Sequence, residues 1–152
     1  MKVREVMNRR ILKIGPETPL RQILQLLLRA HLNDLVVVDN KDKLLGIVTY
    51  GDLSRKLLPS EQELADHEEY LTNPDLMEDR FKDILNVPAD EVMTKRLITI
   101  SPESSAIKAG AIMHAHKVKQ LPVVENQKVV GIISRNDIGW GLMMKYSEYM
   151  KG

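Results

Sequence analysis

An internal repeat constrains the fold more strongly than any other feature of this 152-residue sequence. The segment EVMNRRILKIGPE, which begins at Glu5, recurs as EVMTKRLITISPE at Glu91, 86 residues later. LVVVDN recurs as LPVVEN with the same offset, and KLLGIVTYGDL recurs as KVVGIISRNDI with an offset of 85. The sequence therefore predicts two copies of one structural unit, each of about fifty residues, on either side of an unmatched stretch.

Each copy has the residue pattern of a strand, a helix, two further strands and a second helix. ILKI and LITI predict short strands, and a turn that contains proline follows each of them. In the first copy, Thr18 is predicted to cap the helix, with Pro19 at the first helical position. Two β-branched segments joined by a tight turn then predict a hairpin in each copy.

The fold class predicted from this order is α/β (α+β), with two β-α-β-β-α repeats. A unit of this size buries too little surface to be stable alone, so the copies are expected to pack with pseudo-two-fold symmetry. The expected domains are repeat 1 at residues 1–58, an acidic helical insert at 59–88, and repeat 2 with a C-terminal helix at 89–152.

The insert carries its own helix signals and is strongly acidic. Ser60 and Glu63 predict a capping box, and Asn73 predicts a cap followed by Pro74 at the first helical position. Residues 61–91 contain eleven acidic and two basic side chains, although the whole chain has a net charge of +1. The rest of the chain is therefore positive, which suits either an anionic partner or an ordinary solvated surface.

The composition limits the cellular locations that can be expected for the protein. The chain has no cysteine, so neither a disulfide framework nor a thiolate metal site is available. It has no apolar run of the ~18–20 residues that a membrane span needs, and MKVREVMNRR lacks the apolar core of a signal peptide. We therefore expect a cytoplasmic protein without a membrane partner.

A hydroxyl and a carboxylate lie three residues apart where each copy's last strand meets its last helix: Thr49 and Asp52, then Ser134 and Asp137. Side chains at such a junction face the crevice beyond the sheet edge, where ligands commonly bind. A carboxylate there can accept hydrogen bonds from the two hydroxyls of a ribose. Capping alone explains either junction taken separately, whereas the recurrence of the pair favours a ligand site.

Together these motifs resemble a tandem pair of cystathionine-β-synthase (CBS) domains, also called a Bateman module. The resemblance rests on EVM at the start of each copy, on ILKIGPE and LITISPE, on LVVVD and LPVVE, and on the GI-x-[ST]-x-x-D endings. It implies a regulatory sensor that binds AMP, ADP, ATP or a related adenosyl ligand, S-adenosylmethionine or NAD among them, in the cleft between the repeats. No further cofactor is implied.

The resemblance also implies roles for individual residues. The ribose would be held by Asp137 with Ser134 and by Asp52 with Thr49. The implied contacts to the base or the sugar-phosphate are Thr99, Ile98, Ile100, Pro122, Lys13, Ile14 and Val36. Arg135 and Lys119 are candidates for phosphate binding. The first copy departs from the family pattern at Lys13, Asp34 and Val36, so the pocket of the second copy ranks first.

Other functions have weaker support in the sequence. His114 and His116 are two apart and diverge on a helix, so no metal site is expected. The sequence shows no motif that pairs a nucleophile with a neighbouring base, so it does not predict an enzyme. The basic residues are dispersed and aromatic residues are few, which argues against nucleic-acid binding. The Met-rich run GWGLMMKYSEYM suits packing on its own chain or a homodimer contact.

Two functions remain open from the sequence. The first is the adenosyl-ligand sensor, expected as a homodimer that acts on an unidentified protein target. The alternative is a non-catalytic scaffold for dimerisation or protein interaction, with vestigial pockets.

Overall fold

Residues 1–150, which the computed structural model describes, form two compact units. The second-repeat unit contains Met1–Ile11, Asp42–Leu44 and the described residues from Arg96 to Met150. The first-repeat unit contains Leu12–Lys41 and Leu45–Lys95. Both contain helices and strands, which confirms the predicted α+β class.

The elements follow the predicted order, except that LITI forms no strand and two short helices, α1 and α7, open the copies. The helices are α1 (Val3–Val6), α2 (Leu20–Ala30), α3 (Tyr50–Leu57), α4 (Glu61–Asp66), α5 (Glu69–Thr72), α6 (Pro74–Ile84), α7 (Ala89–Val92), α8 (Ala106–Ala115) and α9 (Arg135–Lys145), followed by a 3-10 helix at Ser147–Met150. The strands are β1 (Lys13–Ile14), β2 (Asp34–Val38), β3 (Leu44–Thr49), β4 (Gln120–Glu125) and β5 (Lys128–Ser134).

The sheet of the first-repeat unit has the strand order β1-β2-β3. β1 is parallel to β2, with Lys13 opposite Val36, but it is only two residues long, so half of the predicted ILKI strand is irregular. The core of this unit consists of Ile14, Leu20, Ile23, Leu27, Leu35, Val37, Val48, Leu53 and Ala89. α2 contributes three of these residues at helical spacing, as expected for an amphipathic helix.

The predicted cap of α2 is wrong by one position. The helix begins at Leu20, and Pro19 stands at the cap with extended backbone and no side-chain hydrogen bond. The first amides of the helix find other acceptors: Leu20 donates to the carbonyl of Val87 and Arg21 to that of Leu85, both at 2.9 Å. Because carbonyls after α6 satisfy these donors, the helix does not need the Thr18 hydroxyl.

In the second-repeat unit, β4 and β5 form the predicted antiparallel hairpin. Its two-residue turn, Asn126–Gln127, has φ angles of 50° and 67°, the left-handed backbone that a tight hairpin turn requires. The predicted LITI strand is reduced to one parallel bridge between Ile100 and Val123. The core consists of Val3, Ile100, Ala106, Ala109, Met113, Leu121, Val123, Ile133 and Ile138.

The opening segment of each copy packs with the strands of the other copy. Asn8 and Ile132 exchange two backbone hydrogen bonds, of 2.8 and 3.0 Å, in the second-repeat unit. Thr94 and Ile47 make the equivalent exchange, at 2.9 and 3.1 Å, in the first-repeat unit. The compact units therefore differ from the sequence segments 1–58 and 89–152, because residues 1–11 pack with the second copy.

The insert contains α4, α5 and α6, and its predicted caps are confirmed. The Ser60 amide donates to Glu63 at 2.7 Å and its hydroxyl accepts from the Glu63 amide at 3.2 Å, which completes a capping box. Asn73 accepts from the Asp75 amide, and α6 begins at Pro74. The Arg80 guanidinium of α6 contacts the Glu63 carboxylate at 2.9 Å and thereby joins α6 to α4.

We expect this ion pair to make the stability of the insert depend on pH. Hydrogen bonds from Arg80 and from the Ser60 amide lower the pKa of Glu63 from 4.5 to about 2. Because the folded pKa lies below the unfolded one, ionised Glu63 stabilises the fold above pH 4.5, and this contribution is lost as the pH falls towards 2. Glu63→Gln should lower the melting temperature at neutral pH, and its difference from the natural protein should shrink in acid.

Thermal unfolding followed by circular dichroism across this pH range tests the prediction. Glu61→Gln is the matched control, because Glu61 also lies in the first turn of α4 but is not the carboxylate that pairs with Arg80. A melting-temperature difference for Glu63→Gln that stays constant from neutral pH to pH 2 would contradict it.

Candidate functional site

Where β5 meets α9 in the second copy, only one carboxylate oxygen of Asp137 accepts hydrogen bonds from neighbouring residues. The backbone N–H and the hydroxyl of Ser134 each donate to Oδ2 of Asp137 at 2.7 Å. The Asp137 amide returns a hydrogen bond to the Ser134 hydroxyl at 3.2 Å and completes a capping box for α9. Among residues 1–150, no donor contacts Oδ1 of Asp137. The cap therefore orients a half-buried carboxylate and leaves one oxygen available.

The first junction uses both oxygens of its carboxylate. Thr49 donates twice to Oδ2 of Asp52, at 2.8 Å each, as Ser134 does in the other copy. Oδ1 of Asp52 is bound by the Arg55 guanidinium and accepts from the hydroxyl of Thr94 at 3.3 Å. The Asp52 side chain is only 5% exposed. Both carboxylate oxygens of Asp52 therefore already accept hydrogen bonds from residues of the same unit.

Two substitutions between the copies explain this difference. Trp140 occupies the place of Arg55, three residues after the aspartate, and its indole lacks a charged donor. Asn8 occupies the place of Thr94, and its side-chain oxygen accepts from the Arg10 amide at 2.9 Å instead of contacting the aspartate. The second copy therefore lacks both groups that bind Oδ1 in the first.

Each aspartate lines a surface cavity between its last helix and a short opening helix. The cavity at Asp137 has a volume of about 480 Å³ and is lined by Met1, Glu5, Val6, Asp137, Trp140, Gly141, Met144 and Lys145. The cavity at Asp52 has a volume of about 340 Å³ and is lined by Asp52, Arg55, Lys56, Glu91 and Val92. The larger cavity is mainly apolar, whereas charged side chains line the smaller one.

Gly141 allows α1 to cross α9 closely at the larger cavity. A Cβ at this position would overlap the side chain of Val6 and would lie 3.0 Å from the sulfur of Met1. In the first copy the equivalent residue is Lys56, so the two cavities have different walls although their backbones correspond.

The implied base-contacting residues of the second copy lie together but outside the cavity at Asp137. The Ile100 amide donates to the carbonyl of Pro122 at 3.0 Å, and both side chains are buried. Thr99 is exposed and Ile98 is partly buried against the core. In the first copy Ile14 and Val36 are also buried. Lys13 is exposed.

The phosphate candidates have different surroundings. The Arg135 guanidinium donates to the carbonyls of Met113 at 3.3 Å and Val118 at 3.0 Å, so it ties down the C-terminal end of α8. Lys119 is exposed, and its carbonyl accepts from the Arg135 amide at 3.4 Å.

Sequence reasoning missed seven of the eight residues that line the larger cavity: Met1, Glu5, Val6, Trp140, Gly141, Met144 and Lys145. Trp140, Gly141 and Met144 follow Asp137 at intervals of three, four and seven, the spacing of one helix face, so the helix period alone could have found them. Glu5 had no such signal, because it reaches the cavity through the packing of α1. Across residues 1–150 no cluster of metal-ligating side chains occurs, and no helix combines the length and apolarity of a membrane span.

The sequence profile of the CBS domain matches residues 3–59 and 89–138, and the chain belongs to the CBS domain family. A CBS domain-containing protein from Dictyostelium discoideum is 28% identical, over 90% of this chain and 87% of its own length. The chloride channel protein CLC-f of Arabidopsis thaliana is 30% identical, over 86% of this chain and 16% of the channel. The chain spans less than a third of the length of the first curated relatives it matches.

Two solved structures with the same fold contain adenosyl ligands. The CBS domain pair of protein MJ0100, in complex with 5′-methylthioadenosine and S-adenosyl-L-methionine, has a TM-score of 0.71 and 20% identity. The match covers 95% of this chain and 98% of that one. CBSX2 in complex with AMP has a TM-score of 0.68 and 20% identity, over 95% and 97% of the two chains.

Proposed function

We propose that this chain is a regulatory module that binds an adenosine-containing ligand with the ribose at Asp137. The observation that carries the proposal is the available Oδ1 of Asp137 on the wall of an apolar cavity. Ser134 holds the other oxygen, so the carboxylate is already oriented and little side-chain freedom is lost when a ligand binds. The adenosyl ligands in the two CBS structures support the same class.

The proposed contact has the chemistry that a ribose requires. Two vicinal hydroxyls can donate to an ionised carboxylate oxygen, and hydrogen bonds to a charged group contribute about 1.5–3 kcal/mol. The module regulates by shifting the population of conformations towards the state that binds the ligand better. We assign it no catalytic role, because Ser134 and Asp137 are arranged as a helix cap.

Isothermal titration calorimetry with AMP, ADP, ATP, NAD, S-adenosylmethionine and 5′-methylthioadenosine tests the proposal. Asp137→Asn keeps the size of the side chain and removes its charge, so affinity should fall about 10-fold to 100-fold. Asp52→Asn is the matched comparison: it should lower stability through the lost pairing with Arg55 while changing affinity far less. No heat with any of these ligands, or unchanged affinity in Asp137→Asn, would refute the proposal.

A second candidate function is a dimerisation or protein-interaction scaffold. A cluster of exposed apolar and aromatic side chains near the C-terminus favours it: Trp140, Met143, Met144, Tyr146, Tyr149 and Met150. Sedimentation velocity would detect a homodimer, and thermal melts separate the two functions. A sensor gains about 2.7 kcal/mol of stability at a ligand concentration one hundred times Kd, whereas a scaffold gains none.

A further inference from the structure

We propose that the insert is a strap that opens while both repeats stay folded, and that Arg80 is the latch that holds it to α3. The strap is the segment 59–88 between the copies, which contains α4, α5 and α6. Its opening does not require the proposed ligand. Because the segment carries far more acidic than basic side chains, a change in its position alters the charged surface that the chain presents.

The insert contributes little to the core of the first-repeat unit. All of residues 59–88 are described, and none of them is buried. Ile84, near the end of α6, is the one apolar residue of this segment that packs against the core. Segments with few buried apolar contacts open at a lower free energy than the core does. Burial alone therefore does not hold α4, α5 and the first turns of α6 in place.

The Arg80 guanidinium joins the insert to the end of α3. Its Nε donates to the carbonyl of Lys56 at 3.3 Å, and one terminal nitrogen donates to that of Leu58 at 3.5 Å. The other terminal nitrogen donates to the Glu63 carboxylate of α4 at 2.9 Å. The hydrogen bond to Glu63 raises the pKa of Arg80, and the Tyr70 side chain of α5 acts in the same direction. One side chain thus connects α6 with α3, α4 and α5.

The surroundings of Arg80 suit a latch. The carbonyls at the end of a helix lack partners within the helix and carry partial negative charge, so a guanidinium is favourable there. The Arg80 side chain is only 21% exposed, which strengthens its hydrogen bonds relative to those of an exposed arginine. Because α3 begins next to Thr49 and contains Asp52, a shift of this eight-residue helix moves the carbonyls that Arg80 binds. The strap is therefore placed to respond to the first junction.

The two ends of the strap are held differently. Before α4, Leu58 is 60% exposed and is followed by Pro59. After α6, the carbonyls of Leu85 and Val87 accept hydrogen bonds from the first amides of α2, and Ala89 is buried. The opening therefore involves residues 60–83, while the chain from Leu85 onward stays with α2.

Native-state hydrogen exchange followed by mass spectrometry tests the proposal on the whole chain. In the natural protein, hydrogen-bonded amides of residues 61–83 should exchange faster than those of β4 and β5. Arg80→Gln should speed exchange in these residues and in the last turn of α3 about 10-fold to 100-fold, with β4 and β5 unchanged. Arg80→Lys keeps the charge without the forked geometry and should restore only part of the protection. Glu63→Gln removes the partner of the same contact and should speed exchange in α4 and α5.

Lys82→Gln is the matched control. Lys82 lies on the same helix, but it pairs with Glu78 at 2.7 Å and Asp79 at 4.0 Å, both within α6. Such pairs contribute little, so exchange should change by no more than about 3-fold. Equal exchange in residues 61–83 and in β4 and β5 of the natural protein would overturn the strap. A uniform increase throughout the chain in Arg80→Gln, or an effect no larger than that of Lys82→Gln, would refute the role of Arg80.

Discussion

Replacing Ile133 with alanine is expected to lower the free energy of unfolding by about 2–5 kcal/mol. Ile133 is fully buried in the core of the second-repeat unit, opposite Leu121 in the β4–β5 hairpin. The ladder of backbone hydrogen bonds holds both strands, so the surrounding residues can only partly fill the cavity that alanine leaves. Urea unfolding followed by circular dichroism measures the loss.

Ile107→Ala is the control for this prediction. Ile107 is 65% exposed on α8 of the same unit, so its truncation should change the free energy of unfolding by no more than about 0.5 kcal/mol. Equal losses in the two variants would show that Ile133 is not a core residue.

The second large effect is expected from Gly131→Ala, which should cost about 1–3 kcal/mol of stability. A Cβ on Gly131 would lie 2.8 Å from the carbonyl oxygen of Asn8 and 2.9 Å from the sulfur of Met7. The sulfur can move, but the carbonyl is fixed by its hydrogen bond from Ile132, so the opening segment must shift away from β5. Urea unfolding again gives the magnitude.

Gly139→Ala provides the matched control for the glycine. Its Cβ would have no atom within 4 Å, and it lies inside α9, where alanine is favoured over glycine by about 0.5–1 kcal/mol. Gly139→Ala should therefore raise stability while Gly131→Ala lowers it. A rise in both variants would show that the close approach at Gly131 imposes no constraint.

Local signals predicted much of the fold. The repeat gave the order of the elements, and the turn residues located the hairpin at Asn126–Gln127 because a tight turn demands special backbone angles. The Thr18 cap failed because carbonyls distant in the chain satisfied the first amides of α2. The pairing of Asn8 with Ile132 had no local signal, since it joins segments more than a hundred residues apart.

At the candidate site, the sequence predicted only the polar residues Ser134 and Asp137. The sequence left capping and ligand binding as alternatives for Asp137, and the geometry does not force a choice between them, because the cap uses only Oδ2 of the carboxylate. The state of Asp52 was not predictable, because no motif in the sequence indicates that the Arg55 guanidinium binds this carboxylate. For Trp140 the apolar run predicts packing on its own chain or a homodimer contact, and it does not predict a place at the cavity.

Because the opening segment of each copy packs with the strands of the other copy, a single copy could not form all of its contacts by itself. A lone repeat would lack the strand edge partner that Asn8 or Thr94 supplies, and it would have to take this segment from another molecule, as in domain swapping. Assembly would then depend on protein concentration. Joining two copies in one polypeptide makes the exchange intramolecular, so that it persists at any dilution.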